Sequence, residues 1–476
     1  MPPSHDRESL RTVPHTPPNA PDWCKVSIVA GINLLTSRRE CTMPSPRVNE
    51  QDLAALGTLL HEARRAAGLS LYDVAGADLS APALCKLEKG KACPTADRLM
   101  YLAGRLHLDL PRILPLWARC QRRAGQRYLL VRLLREAGHQ TAARVLVRHL
   151  EEEKVDHSNP WSAWIALEKG LLALDQDRYE EALDSSRQAA VLANQHSDWE
   201  CQAEAHALAG IALRYLWRPT SAIRHLQAAA RQARPHQPLH ARVLIHLAHA
   251  QLDAGLYRPA LDIYESIRAH VHEPPLAESV PEGKAFALER LGQPDTALQV
   301  HRVILRRYEA DGEPRSIARV LNNMGLCHKR MDDWREARSF WQESLQVQTD
   351  GFDAACTLEE LAQSAVLADR REQAMEYVDR AESFVAPFPR HPSRATLTLL
   401  REGILGADRT GPFPEWSRLL ASADPELRSL WIQGSAEAAL YLCWRAPLNE
   451  ALAALNEFAV GMLASGPPEL GTSPPP

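Results

Sequence analysis

Between Leu79 and Pro94 the chain runs LSAPALCKLEKGKACP, which brings Lys86, Lys89, Lys91, Cys85 and Cys93 into one short stretch. Three ammonium groups so closely spaced make a local positive patch that suits an anionic partner. The run Gly90-Lys91-Ala92 lacks the preceding glycine and the following Ser or Thr of a phosphate-cradling P-loop, and no HExxH, GxSxG or GxGxxG motif occurs. His246 and His249 stand one helical turn apart, but no third ligand follows them, so they are expected to be ordinary surface histidines. Cys85 and Cys93 are expected to be small half-buried residues rather than a redox pair. No catalytic constellation, metal site or cofactor is expected, and the chain does not read as an enzyme.

The elements that must position these residues are helices. Hydrophobic residues make up 45% of 476 positions and aromatics only 6%, a balance that favours closely packed helices over sheets. A formal charge of -4 and a pI near 6.6 exclude a globally basic coat, so contact with a polyanion has to come from a local patch. The nine cysteines are an odd number without a CxxC pair, which fits a reducing, cytoplasmic setting. The longest early apolar run, Val26 to Leu35, is too short to span a membrane, and no basic signal-peptide start precedes it.

Residues 1–49 are rich in Pro, Ser and Thr and are expected to lack a packed fold, with Met43 a candidate translation start. From 50 to 119 the pattern predicts five short helices separated by Gly, Ser and Pro signals. In the first, Leu56, Leu59, Leu60 and Ala63 share a face and Gly68 ends it. Ser70 is predicted to cap the helix LYDVAGA, and Ser80 a second helix with Pro82 in its first turn and Gly90 at its end.

This stretch resembles the helix-turn-helix family of the Cro and phage-repressor type, often called XRE. The resemblance rests on Gly57, Arg64, Gly68, Leu69, Ser70, Val74, Ala75, Leu84, Leu87, Glu88, Gly90, Pro94, Leu99, Leu102, Ala103 and Leu106. Val74 stands where a leucine is commoner, and Leu71-Tyr72 where a glutamine often braces the site. The resemblance implies a structural Arg64–Glu88 pair and a partner in double-stranded DNA. The start of the second helix of such a pair enters the major groove. The segment Ser80, Ala81, Pro82, Ala83 and Lys86 would then face bases, with Tyr72, Lys89 and Lys91 beside the phosphates. Ala and Pro can pack on thymine methyls, free N–H groups at the helix start can hold a phosphate, and Lys86 alone can make a strong base contact. Arg119, Arg122, Arg123 and Arg127 add positive charge just beyond.

The region 120–386 carries an internal repeat. Ala143, Ala182, Ala222, Ala260, Ala297, Ala337 and Ala374 recur in steps of 37 to 40 residues, as expected of stacked helical hairpins. Twelve residues before the last six stand Gly170, Gly210, Ala248, Ala285, Gly325 and Ala362, small enough for close helix approach. Three residues before the same six, Tyr179, Pro219, Tyr257, Pro294, Trp334 and Arg371 mark the turns. The clearest unit, NNMGLCHKRMDDWREARSFWQESLQV from Asn322, resembles a tetratricopeptide repeat. Segment 387–464 is expected to be a divergent repeat and helical cap, and 465–476 a disordered tail.

The expected fold class is therefore all-α, a small five-helix helix-turn-helix domain followed by a tetratricopeptide-like α-solenoid. A head and array of these types together resemble bacterial peptide-sensing regulators of the quorum type. That resemblance implies a cytoplasmic, homodimeric transcription regulator whose repeats bind a short peptide or a protein. Arg290, Arg319, Asn322, Lys329 and Arg330, on the groove-facing side of first helices, are the candidate effector residues, because Arg forks to carboxylates and Asn pairs with peptide backbone. A solvated face with inter-repeat salt bridges remains the alternative for each of them. The competing function is a non-DNA-binding adaptor that holds a protein partner through its repeats.

Overall fold

A computed structural model describes residues 50–76, 79–121, 123–152, 159–233, 237–267, 274–348, 351–406, 413–442, 447 and 449. The expected tails at 1–49 and 465–476, Met43 and Arg122 lie outside the described residues. Among the described residues the chain is all-α, with 22 helices and one isolated bridge between Gly76 and Leu79.

The head comprises α1 (Glu50–Ala66), α2 (Leu71–Val74), α3 (Ala81–Glu88), α4 (Ala96–Leu106) and α5 (Leu110–Cys120). Leu60, Val74, Leu79, Leu84, Leu87, Leu102 and Leu106 form its small core. Each such burial is favourable by about 1.5–3 kcal/mol. Ser70 and Ser80 cap α2 and α3 as expected, and Ser70 forms a full capping box with Asp73. The helix expected over LYDVAGA stops after one turn, at Val74. Tyr101 donates its hydroxyl to the Val74 carbonyl at 2.9 Å and Arg105 donates to the Asp73 carbonyl at 3.0 Å, taking acceptors that a longer helix would use. Gly57 and Gly90 let α1 meet the end of α3, since a Cβ on Gly57 would lie 2.6 Å from the Glu88 carbonyl oxygen.

Helices then follow two by two along the chain, each first helix with a second: α6 (Ala124–Glu136) packs with α7 (Gln140–Glu152), α8 (Trp161–Leu174) with α9 (Tyr179–Gln195), α10 (Trp199–Tyr215) with α11 (Pro219–Ala233) and α12 (Gln237–Asp253) with α13 (Tyr257–Ile267); α14 (Pro274–Arg290) and α15 (Pro294–Asp311) come next in sequence; then α16 (Pro314–Arg330) packs with α17 (Trp334–Val347) and α18 (Gly351–Leu367) with α19 (Arg371–Val385). All seven phase-marking alanines are fully buried, which places each at a helix contact. The six turn markers are each the first residue of a second helix. Two positions before each second helix, Gly138, Asp177, Trp217, Gly255, Gly292, Asp332 and Asp369 adopt φ between 54° and 80°. One left-handed residue per turn thus ends the first helix and reverses the chain. After these come α20 (Ser393–Leu405), α21 (Pro414–Ser422) and α22 (Pro425–Tyr441).

The chain divides into two units. The first contains the described residues from Glu50 to Val300 and Asp424–Leu430, and its main core runs unbroken from Leu56 through Trp117 and Tyr128 to Ala250. The head is therefore joined to the repeats by shared packing: α4 lies on α6, and α5 on both α1 and α7. Gln126 accepts from the Ala96 amide at 2.9 Å, and Trp117 donates to the Pro94 carbonyl at 2.9 Å. The second unit contains the described residues of 301–423 and 431–449. Its described part holds the apolar clusters of Trp341 with Ala337 and Leu361, and of Leu358 with Ala381 and Val385.

Candidate nucleic-acid interface and effector site

On the head, the residues expected to meet DNA separate into two groups. Ser80, Pro82, Lys86, Lys89 and Lys91 are exposed, and Tyr72 is 83% exposed on α2. The three lysines form no ion pair among the described residues. Ala81 corrects the expectation: only 7% exposed, it is turned into the core and presents no methyl to a ligand. Ala83 is half-buried against the same core. The physical reason is the 3.6-residue period, which puts Ala81 on the face of Leu84 and Leu87.

The Arg64–Glu88 pair is present and structural. Arg64 Nε and Nη2 donate to the two Glu88 oxygens at 2.5 and 2.8 Å, and Nη1 donates to the Leu69 carbonyl at 2.8 Å. Burial raises the Glu88 carboxyl, but hydrogen bonds and charge from Arg64 and His61 outweigh it and hold the group below its ordinary value. The pair therefore ties the end of the candidate recognition helix to α1.

Of the arginines beyond the head, Arg119 and Arg127 are held by neighbouring groups, and Arg122 lies outside the described residues. Arg127 donates to the Ala118 and Gln121 carbonyls at 2.5 and 2.6 Å and so caps the end of α5, while Arg119 reaches Asp52 at 3.4 Å. Cys85 and Cys93 are half-buried as expected. Burial, and then the neighbouring Cys120, push the Cys93 thiol up to about 12, the opposite of an activated thiolate. His246 and His249 are corrected: they are 3% and 0% exposed, not surface residues. Burial, with the Arg214 and Arg242 charges, lowers His246 to about 3, and burial with Arg214 and His246 lowers His249 well below its ordinary value. Among the described residues no group of three or more metal-ligating side chains occurs.

The five candidate effector residues fall in different units. In the first unit, Arg290 is half-buried beside Glu289 at 3.4 Å and over the Phe286 ring at 5.2 Å. The other four lie on α16, in the second unit. Arg319 is 8% exposed, and Asn322 accepts through its side-chain oxygen from Thr357 at 3.1 Å. Lys329 is the main correction. It is 2% exposed, and its ammonium donates to Glu360 at 2.7 Å and Gln363 at 3.0 Å, with the Tyr441 ring 4.6 Å away. Arg330, half-buried, pairs with Glu437 at 3.0 Å and donates to the Tyr441 hydroxyl at 3.4 Å.

This pairing is general along the first helices. Arg135 on α6 meets Glu168 on α8 at 2.8 Å, Arg242 on α12 meets Glu204 on α10 at 2.5 Å, and Arg214 on α10 meets Asp253 on α12 at 2.6 Å. Such buried pairs stabilise little in net terms but penalise any other stacking register, because a mispaired buried charge is strongly destabilising. The residues missed from sequence are the carboxylate partners. Glu359 stands three before Ala362 as Asn322 stands three before Gly325, so the repeat register pointed to it, and Glu360 is its neighbour. Glu437 and Tyr441 carry no such signal, since they lie on α22, outside the repeat.

Residues 316–386 match the tetratricopeptide repeat family, and residues 125–249 match the cohesin loading factor family. No curated protein matches the chain. Among solved structures, the apo form of the quorum sensor NprR from B. thuringiensis aligns with 86% of this chain and 98% of its own at 16% identity and a TM-score of 0.35. NprR in complex with its cognate peptide NprX aligns with 77% and 94% at 16% identity and 0.42. A Rap protein complexed with competence and sporulation factor aligns with 71% of this chain and 98% of its own, at 15% identity and a TM-score of 0.53. Only that last score argues a common fold. No helix of the described residues is long and apolar enough to cross a membrane. The chain carries tetratricopeptide repeats and is similar in fold, though not closely in sequence, to the Rap protein.

Proposed function

We propose that the chain is a DNA-binding transcription regulator and not an enzyme, with a Cro-type helix-turn-helix head at 50–119 and a repeat array that takes a peptide or protein effector. The observation that carries this is the exposure of Tyr72, Lys86, Lys89 and Lys91 together around α3, with no described carboxylate bonded to the lysines. Phosphate neutralisation by such lysines supplies affinity, and α3 with its capped start supplies the groove-entering element. Pairing of two copies would place two heads on half-sites and multiply a modest single-head affinity. The fold in common with a Rap protein complexed with competence and sporulation factor supports the effector role of the repeats. Within the first unit, the core shared from Leu56 to Ala250 packs the head against the repeats that follow it, which supports a link between the two.

The second reading, an adaptor that does not bind DNA, is favoured by the burial of Ala81, which removes one of the few thymine-methyl contacts α3 could offer beside Lys86. Gel-shift with a random duplex pool, with and without cell extract, separates the two. Retention that weakens with salt and falls on joint substitution of Lys86→Ala and Lys89→Ala supports the regulator; no retention at low salt supports the adaptor.

A further inference from the structure

Helix α22 supplies partners to two of the candidate effector residues, Lys329 and Arg330. Glu437 and Tyr441 stand four residues apart on one face of α22. Glu437 lies 3.0 Å from Arg330 and 4.0 Å from Lys329. The Tyr441 ring packs edge-on to Trp334 at 5.5 Å and sits 4.6 Å from the Lys329 ammonium. The other face of α22 is held independently. Trp431 and Ile432 are buried there, Trp431 donates to the His391 carbonyl at 2.8 Å, and Ser435 accepts from Trp416 at 3.0 Å. Glu437 keeps 22% of its side chain exposed, so its contact with Arg330 lies at the solvent margin, within reach of a competitor.

We infer that Glu437 and Tyr441 are a built-in competitor for an effector segment that carries a carboxylate and an aromatic ring one helical turn apart, received by Arg330, Lys329 and Trp334. This rests on reading the repeats as an effector array, and it names the chemistry of the effector. A carboxylate forks onto the guanidinium that Glu437 vacates, and an aromatic ring replaces Tyr441 over the ammonium. Nearby Glu359 does not oppose an anionic ligand at neutral pH. Burial and then Glu360 push its carboxyl up to about 8, against the Ser393 hydrogen bond and the Lys329 charge, so it is largely protonated there. A segment of the same chain acts at an effective concentration in the millimolar range, so a free ligand sees a site that is mostly filled.

The test uses the full chain and a fluorescent peptide with the sequence of residues 433–442, QGSAEAALYL. The joint variant Glu437→Gln with Tyr441→Ala is expected to bind this probe about tenfold or more tightly than the parent chain. Adding Arg330→Ala to that variant is expected to abolish the gain. Glu437→Gln alone, nearly isosteric, gives a smaller gain and serves if the joint variant unfolds. A joint variant that melts like the parent and takes the probe no tighter overturns the inference. Failure of the broader reading looks different: DNA retention that no peptide-containing cell extract alters, in parent and variant alike. A chain that responds to the extract but shows no tighter probe binding overturns the competitor alone.

Discussion

Lys86 on α3 and Lys329 on α16 are both lysines near the end of a helix, yet one is exposed and the other is 2% exposed. What differs is the next element. No described carboxylate bonds to the Lys86 ammonium, whereas α18 packs against α16 and brings Glu360 and Gln363 to Lys329. A cation between stacked first helices is consumed in joining them, while one on the outer surface of the head remains available to an anion. The head and the array therefore offer different chemistry from similar residue types.

Several substitutions would break or sharpen that contrast. The largest effect is expected from Arg64→Ala, which leaves Glu88 buried without its guanidinium; urea unfolding should show a loss of about 3–5 kcal/mol. In the parent, the depressed Glu88 value means that its stabilisation is fully present above the ordinary carboxylate range. It is lost as pH falls through the lower folded value, and unfolding midpoints between neutral and acid pH check this. Lys329→Ala should cost about 3 kcal/mol, because Glu360 then loses its buried cation. Gly325→Ala should cost about 1–3 kcal/mol, since the new methyl meets Trp341 and disturbs its hydrogen bond to the Asn322 carbonyl. Joint substitution of Lys86→Ala and Lys89→Ala should move stability by no more than about 0.5 kcal/mol, as expected of exposed residues. Equal destabilisation by the Lys86–Lys89 and Lys329 substitutions would erase the distinction between the two regions.

Much of the architecture was legible in the sequence because it depends on local rules repeated many times. The seven alanines, the turn markers and the serine caps each answer to a helix contact or a helix end within a few residues. The Arg64–Glu88 pair came from resemblance and is met at full bidentate geometry. What was not legible depends on distant partners. The shortening of α2 follows from Tyr101 and Arg105, some thirty residues on, and the burial of Lys329 from Glu360 and Tyr441. His246 and His249 looked like surface residues because helix spacing alone does not show that α12 is covered on both sides, by α11 and α13 and by the first helices α10 and α14. Ala81 failed as a contact because the apolar stripe of α3 begins one residue after its cap.

The central claim is that the exposed lysines of the head hold DNA. The most direct measurement is the salt dependence of duplex binding by the parent chain and by the joint Lys86→Ala, Lys89→Ala variant, at matched thermal stability. The claim predicts a parent whose logarithmic affinity falls steeply with the logarithm of salt, and a variant whose slope is shallower by roughly two. A parent that retains no duplex at low salt, or a variant with the parent's affinity and slope, would contradict it.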